Sequence, residues 1–310
     1  RVLEADGIVI ATGAAPRQLP GADGLGGVHL LRTLDDAVEL RAAFDATPNR
    51  VVVIGCGFIG AEVAATARGR GLEVTIVEAA PFPLARVLDA EAGMAVADLH
   101  RGHGVDVRLG VGVQTLDRQG DRVQAVTLDD GSVVPTDLVV VGIGVAPNTD
   151  WLDGAGLLID DGIVADATCV AAPGVVVAGD VARWPNGAYG DTLMRVEQWD
   201  NAVEMGRYAG NRLLALLDDN GEGADHEPFA PVPWFWSDQY DRKMQLAGIA
   251  GDRHEMVQGT LAEQRFVRLY LDGDGRATGA LCWNRPRQAI MARQLLAARA
   301  PADEFRDKLS

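Results

Sequence analysis

The spacing of apolar residues changes along the chain, and each change marks an element. Val51-Val52-Val53-Ile54 is an unbroken β-branched run, which predicts a strand buried on both faces. It ends in Gly55-Cys56-Gly57-Phe58-Ile59-Gly60. Residues 61–67 then predict a helix, and 72–77 a second buried strand closed by the acid Glu78. Upstream, 7–13 predicts a short strand ending at a glycine turn. Pro16, Pro20 and Gly21 keep the next stretch irregular, and Thr33-Leu34-Asp35-Asp36-Ala37 opens a helix with a threonine cap and early acids. Downstream, a helix over 90–103 stops at Gly104, and strands follow near 105–109, 123–128 and 133–134. Asp129-Asp130-Gly131-Ser132 is a hairpin turn, and 137–144 is a buried strand stopped by Pro147-Asn148. Residues 162–180 predict two short strands, the second over 175–180. A helix over 198–217 runs into a polar linker at 218–223. Beyond Pro228, a segment with Pro231, Pro233, Trp234 and Trp236 leads into β-like runs at 244–249, 265–270 and 277–283 and a helix over 288–299. No fixed short repeat and no low-complexity tract interrupts this order.

The corner at residues 55–60 carries the most specific chemistry. In a strand-to-helix turn of the form G-x-G-x-x-G, Gly55 permits the turn. Gly57 lets a pyrophosphate approach the main chain, and Gly60 lets helix and strand pack closely. Phosphates then meet the free N–H groups and the positive end of the helix. Strand, glycines, helix, second strand and terminal acid all occur in order, which predicts dinucleotide binding. A tight turn without a ligand is the plainer alternative. Glu78 lies 23 residues after Gly55, near the ~20-residue offset of a ribose-binding acid. A carboxylate there accepts from both ribose hydroxyls and repels a 2′-phosphate, and Ala79-Ala80-Pro81 offers no arginine to receive one. The expectation is NADH over NADPH, with a solvated strand-end acid as the alternative.

Bulk composition narrows the classes. The 310 residues suffice for two or three domains, and 48% hydrophobic with 23% charged residues is ordinary for a globular chain. No apolar run reaches the ~18 residues of a membrane span, and the opening residues lack a signal-peptide pattern. Cys56, Cys169 and Cys282 lie far apart and form no C-x-x-C and no zinc pattern. That argues for a reducing, cytoplasmic setting, against a dithiol relay and for no metal site. The net charge of −16 makes nucleic acid and anionic membranes poor partners. Residues 228–310 carry +2 and the rest −18, so a positive face can form only toward the C-terminus. The chain opens at Arg1 inside what reads as a domain, so upstream sequence is expected.

Several segments match one pattern in order: Ile10-Ala11-Thr12-Gly13-Ala14-Ala15-Pro16-Arg17, Leu31-Arg32-Thr33-Leu34-Asp35-Asp36-Ala37, the glycine corner with Glu62, Gly142-Ile143-Gly144-Val145-Ala146-Pro147-Asn148, Ala178-Gly179-Asp180, Arg195-Val196-Glu197-Gln198-Trp199-Asp200-Asn201-Ala202 and Pro233-Trp234-Phe235-Trp236-Ser237-Asp238-Gln239. Together they resemble the FAD-dependent NAD(P)H:ferredoxin and rubredoxin reductases, the putidaredoxin-reductase-like components of oxygenase systems. The resemblance implies an α/β fold of two nested Rossmann-like nucleotide-binding domains plus a C-terminal α+β domain. Residues 1–47 and 164–223 would be two pieces of an FAD domain, 48–163 the NAD domain between them, and 224–310 the C-terminal domain. It also implies FAD and NADH as cofactors, and a ferredoxin or rubredoxin as one-electron acceptor. The family's first G-x-G-x-x-G, which binds the FAD pyrophosphate, is absent before Gly55. The FAD domain is therefore expected to lack roughly a hundred residues upstream.

The resemblance places Thr12, Gly13, Arg32, Gly179 and Asp180 at the flavin, with Asp180 accepting from the ribityl chain, capping a helix, or doing both. It places Trp199 beside the isoalloxazine, a core tryptophan being the other reading. Gly144 joins Gly55, Gly57, Phe58, Ile59, Gly60 and Glu78 at NAD. Glu62, on the first turn of the NAD helix, would meet the nicotinamide or only complement the helix dipole. The flavin does the chemistry, so no catalytic acid or base is expected. Arg242, Lys243, Arg285, Arg287 and Arg293 are candidates for docking an acidic acceptor, or a solvated face. Monomer and homodimer remain open. Other functional classes consistent with the sequence are an NAD-binding fragment without catalysis, an NADH oxidase or small-molecule flavin reductase, and an interaction protein like apoptosis-inducing factor, which −16 opposes.

Overall fold

Val51, Val52, Val53 and Ile54 sit in the middle strand of a five-stranded parallel sheet, and each is 4% exposed or less. Full burial of such a side chain contributes about 1.5–3 kcal/mol, so this strand anchors its unit. The computed structural model describes residues 2–218 and 226–310. The sheet order is Val28–His29, Leu138–Val141, Arg50–Ile54, Glu73–Glu78, Asp106–Leu109, every pair parallel. Strand alternation divides its side chains between two cores. Val51 and Val53 face helices α1 (Leu34–Asp45) and α2 (Phe58–Gly69), packing with Phe44, Ala61, Ala64 and Ala67. Val52 and Ile54 face an antiparallel sheet of Val113–Gln119, Arg122–Leu128 and Val133–Pro135, packing with Val126, Leu128 and Val134. Helix α3 (Ala90–Gly102), capped by the Asp89 carboxylate, follows the Glu73–Glu78 strand.

A second core gathers chain from both sides of that unit. Ile8–Ile10 pairs in parallel with Val175–Val177, which pairs with Val170–Ala172. Helix α4 (Trp199–Asp218) lays Met205, Ala209 and Leu213 on this sheet. Ala14–Pro16 pairs with Val145–Pro147, tying the two units together.

The last part is a five-stranded antiparallel sheet in the order Trp234–Gln239, Arg242–Gly248, Ala277–Trp283, Arg265–Leu271, Arg253–Thr260. Helices α5 (Pro286–Ala297) and α6 (Ala302–Leu309) cover one face. Helix α3 covers the other, with Ala92, Val96 and Leu99 against Phe235, Phe266 and Trp283. Arg268, 2% exposed, binds Asp89 and Glu91 across this junction, and the Tyr270 hydroxyl donates to Asp89 (2.6 Å). No described helix is long and apolar enough to cross a membrane.

Several sequence expectations need correction. Residues 162–180 hold three strands, not two, and the run over 175–180 stops pairing at Val177, because Gly179–Val181 coils into a 3₁₀ turn. Trp234–Gln239 is itself a strand rather than a lead-in. Val113–Gln119 and Arg253–Thr260 were not expected; both are polar, contain register shifts and owe their form to a partner strand. Helix α6 carries only Phe305 and Leu309 as buried anchors, four residues apart, and docking holds it in place. The linker read at 218–223 falls, from 219 onward, outside the described residues.

Candidate functional site

The glycine corner has the expected geometry, and each glycine is required for a different reason. Gly55 has φ +95°, and a Cβ there would lie 2.3 Å from the Gly142 carbonyl oxygen. A Cβ on Gly60 would lie 2.0 Å from the Gly55 carbonyl oxygen, so helix and strand cross at main-chain distance. Gly57 is the N-cap of α2, makes no side-chain cap, and has no atom within 4 Å of a would-be Cβ. The corner is therefore open at Gly57, and among the described residues no side chain caps the first α2 amides.

Glu78 lies beside this opening and also builds it. Its carboxylate accepts from the Cys56 amide (2.6 Å) and the Ala80 amide (2.7 Å). A carboxylate offers about four acceptor positions, so both contacts leave capacity for hydroxyl donors. Phe58 packs on Phe235 with ring centroids 4.2 Å apart, while Ile59 is exposed. Gly144 is near the Arg86 guanidinium (3.8 Å from a would-be Cβ), and Arg86 is 4.0 Å from Glu197.

Glu62 is not on the first turn of α2. With Gly57 as N-cap it falls in the second turn, so it is no dipole-complementing acid of the helix start. It turns toward the C-terminal sheet, where Ser237 Oγ donates to its carboxylate (2.7 Å). Burial raises its pKa, against hydrogen bonds from Ser237 and the Asp238 amide.

The second set converges from distant sequence. The strands Ile8–Ile10 and Val175–Val177 are parallel neighbours, so the segments after them emerge at the same sheet edge. Arg32 Nη2 meets Asp180 Oδ2 at 2.8 Å, and a Cβ on Gly13 would lie 3.5 Å from that guanidinium. Asp180 is not a helix cap, because Ala178 holds that position. Gly179 packs against Ala202 at the start of α4. Trp199, the first residue of α4, is 72% exposed, which removes the reading of a core tryptophan. Thr12 and Asn148 exchange hydrogen bonds (3.0 and 2.8 Å), and the Arg17 amide donates to Gly144 O (2.9 Å). These contacts set Thr12 and Gly13 next to the loop that borders the glycine corner, so the two sets form adjoining sites. The Trp234 amide donates to Gln198 (3.0 Å) and Arg293 binds Asp200 and Glu204, which fastens the C-terminal sheet to the α4 start.

Among the docking candidates, Arg293 and Lys243 are thus spent on partners within the chain, Lys243 on Asp238 at 3.2 Å. Arg242 lies 3.4 Å from Asp241. Arg287 is exposed. The sequence reading missed Arg86 and the roles of Asp89 and Arg268, whose partners are far away in sequence. Ser237 and Gln239 fall in the motif over residues 233–239, for which the resemblance implies packing of the C-terminal domain against the flavin.

These features give two adjoining strand-end edges, one at the glycine corner and one at the Arg32–Asp180 pair. The family model described as pyridine nucleotide-disulphide oxidoreductase matches residues 1–206, and the reductase C-terminal model matches residues 234–307. The chain belongs to the pyridine nucleotide-disulphide oxidoreductase family. It is 40% identical to rhodocoxin reductase of Rhodococcus erythropolis over 304 residues, 96% of this chain and 68% of that protein. It is 38% identical to putidaredoxin reductase CamA of Pseudomonas putida over 311 residues, 98% of this chain and 71% of that protein. Its fold is similar to that in the crystal structure of the covalent putidaredoxin reductase–putidaredoxin complex. The TM-score is 0.88 at 36% identity, covering 99% of this chain and 73% of that one. A ferredoxin reductase for the CYP199A2 system of Rhodopseudomonas palustris gives a TM-score of 0.87 at 37% identity, covering 96% and 72%.

FAD and NAD(H) are the cofactors. The residues present fit NAD(H) at the glycine corner and, at the Arg32–Asp180 edge, the part of FAD beyond its pyrophosphate. The corner leaves Gly57 open at the helix start, and the Arg32–Asp180 pair puts donors and acceptors at a strand-end edge, while the exposed Trp199 begins the helix whose Ala202 lies by Gly179.

Proposed function

We propose that the chain carries electrons from NADH, through FAD, to an iron–sulfur acceptor of the ferredoxin or rubredoxin type. The observation that carries this reading is the junction just described: the glycine corner and the Arg32–Asp180 edge share the Gly144–Asn148 loop as a common border. Rhodocoxin and putidaredoxin reductases, named for such acceptors, are its relatives. In this reading Gly55, Gly57, Phe58, Ile59 and Gly60 hold the NADH pyrophosphate, Gly144 borders it, and Glu78 takes the adenosine ribose. Glu62 stands at the nicotinamide end. Thr12, Gly13, Arg32, Gly179 and Asp180 hold the flavin, and Trp199 covers its ring. Residues 1–47 and 164–223 then serve FAD, 48–163 NAD, and 224–310 closes over both.

The bound flavin supplies hydride acceptance and stepwise release of electrons; the chain's residues bind, orient and exclude water. The three cysteines of this sequence form no dithiol relay. Cys56, Cys169 and Cys282 are buried and unpaired, and burial pushes each thiol up to about 12, with Glu78 adding to the effect at Cys56 and Asp166 at Cys169. A thiolate relay needs a lowered pKa and a neighbouring thiol. Buried free thiols also suit a reducing, cytoplasmic setting. Among the described residues, Arg285 and Arg287 are the docking candidates without an ion pair. Anaerobic stopped-flow mixing of the flavin-loaded protein with NADH should bleach the visible flavin absorption, and an added ferredoxin should restore it. A flavin that stays oxidised under NADH refutes the proposal.

A further inference from the structure

The junction between α2, α3 and the C-terminal sheet buries a set of polar groups. Along Trp234–Gln239 burial alternates: Phe235, Ser237 and Gln239 point inward while Trp236 and Asp238 point out. Ser237, Gln239 and His100 of α3 are 0%, 3% and 0% exposed. Polar side chains buried this deeply persist only when hydrogen-bonded. Here they join end to end. Ser237 Oγ is 2.7 Å from Glu62 Oε1, and Gln239 Nε2 is 3.1 Å from Ser237 Oγ. His100 Nε2 is 3.1 Å from Gln239 Oε1, and Tyr240 Oη is 3.0 Å from His100 Nδ1.

The direction of every proton in this file follows from its end. An ionised carboxylate only accepts, so Ser237 must donate to Glu62. The Ser237 oxygen is then free to accept, and Gln239 must present its NH₂ to it. That turns the Gln239 carbonyl to His100, whose Nε2 must carry the proton. His100 is neutral, since burial lowers its pKa to about 4, so its Nδ1 is bare and the Tyr240 hydroxyl donates to it. Four donors point the same way, from the half-buried Tyr240 turn to one carboxylate. Hydrogen bonds aligned in this way polarise one another.

We propose that Ser237, Gln239, His100 and Tyr240 are positioning residues for Glu62, a one-way file of donors that aims and holds its carboxylate. The functional consequence rests on the placement of Glu62 at the nicotinamide end. The file makes the C-terminal sheet part of the nucleotide site: the acid belongs to α2, and its orientation belongs to a strand 175 residues away. Asp238 gives Glu62 its amide while its charge raises the Glu62 pKa, and its carboxylate lies 3.2 Å from Lys243. At the far end His103 stacks on Tyr240 with centroids 3.6 Å apart, and Arg68 and Cys56 lie near that ring.

The test is the titration of Glu62, followed by ¹³C NMR of glutamate side-chain carboxyls and assigned by the signal lost in Glu62→Gln. Ser237→Ala should raise the Glu62 pKa by about one unit or more, because the charge-assisted hydrogen bond goes. Gln239→Leu and then Tyr240→Phe should raise it by progressively less, and Ser237→Thr, which keeps the hydroxyl, should return it toward wild type. Circular dichroism verifies that each variant is folded. An unmoved titration in folded Ser237→Ala and Gln239→Leu overturns the proposal. In parallel, calorimetric NAD⁺ affinity is followed against pH. A titration that moves while this affinity profile does not keeps the file and refutes only the placement of Glu62 at nicotinamide.

Discussion

Replacing Gly57 with alanine separates the folding role of the glycine corner from its binding role. Gly57 has φ −75° and ψ −171°, a conformation open to any residue, and no atom lies within 4 Å of the added methyl. Alanine loses less backbone entropy on folding, a gain of about 0.4–1 kcal/mol. It is also a poorer N-cap than glycine, and that cost is of similar size. The two nearly cancel, so stability should stay within about 0.5 kcal/mol of wild type. Binding should not stay. The methyl projects into the approach to the uncapped amides of α2, and a diphosphate held off loses one or two charged hydrogen bonds of about 1.5 kcal/mol or more each. That corresponds to about 10–100-fold in Kd. Isothermal titration with NAD⁺, beside urea unfolding, reads both quantities. Gly60→Ala is the contrasting control: its methyl would sit 2.0 Å from the Gly55 carbonyl oxygen, and overpacking of this kind costs about 1–3 kcal/mol. A folded Gly57→Ala protein that binds NAD⁺ within about twofold of wild type would refute the use of this corner as the diphosphate site.

Glu78→Gln removes the charge facing a 2′-phosphate, and the NADH-over-NADPH ratio in steady-state kinetics should fall by about tenfold, since one charged hydrogen-bond difference is worth about 1.4 kcal/mol; an unchanged ratio would acquit Glu78 of cofactor choice. Arg268→Met strips the buried cation from Asp89 and Glu91 and should cost about 3 kcal/mol or more in urea unfolding, whereas a change below about 1 kcal/mol would show the clamp to be dispensable. His100 is neutral when folded because burial lowers its pKa to about 4, below its unfolded value near 6.5, so the unfolded state binds more protons between these limits. The stability it contributes is complete above pH of about 6.5 and declines by up to about 1.4 kcal/mol per unit as pH falls toward about 4. His100→Gln should flatten that part of the stability–pH curve, and an identical curve would place the proton elsewhere.

The sequence by itself determined what local rules can determine. A four-residue β-branched run must be buried on both sides, a strand meeting a helix at main-chain distance must use glycine, and an acid at the next strand end must lie beside that corner. These statements need only short-range sterics and periodicity, and the strands Arg50–Ile54 and Glu73–Glu78 and helix α2 fall where those rules put them. Edge strands such as Val113–Gln119 and Arg253–Thr260 left no such mark, because pairing with a neighbour, not their own pattern, makes them strands.

Tertiary structure alone decided which distant residues share a site. Arg32 finds Asp180 across 148 positions because parallel pairing of Ile8–Ile10 with Val175–Val177 brings the following segments to one edge. Glu62 turns to Ser237 rather than to the helix start, and Glu78 braces the loop it flanks, because the carboxylates go where buried or main-chain donors wait. Hydrogen-bond direction and burial are properties of the assembled layers. A linear pattern names the residues able to enter such contacts, and the packing of strand on helix selects the ones that do.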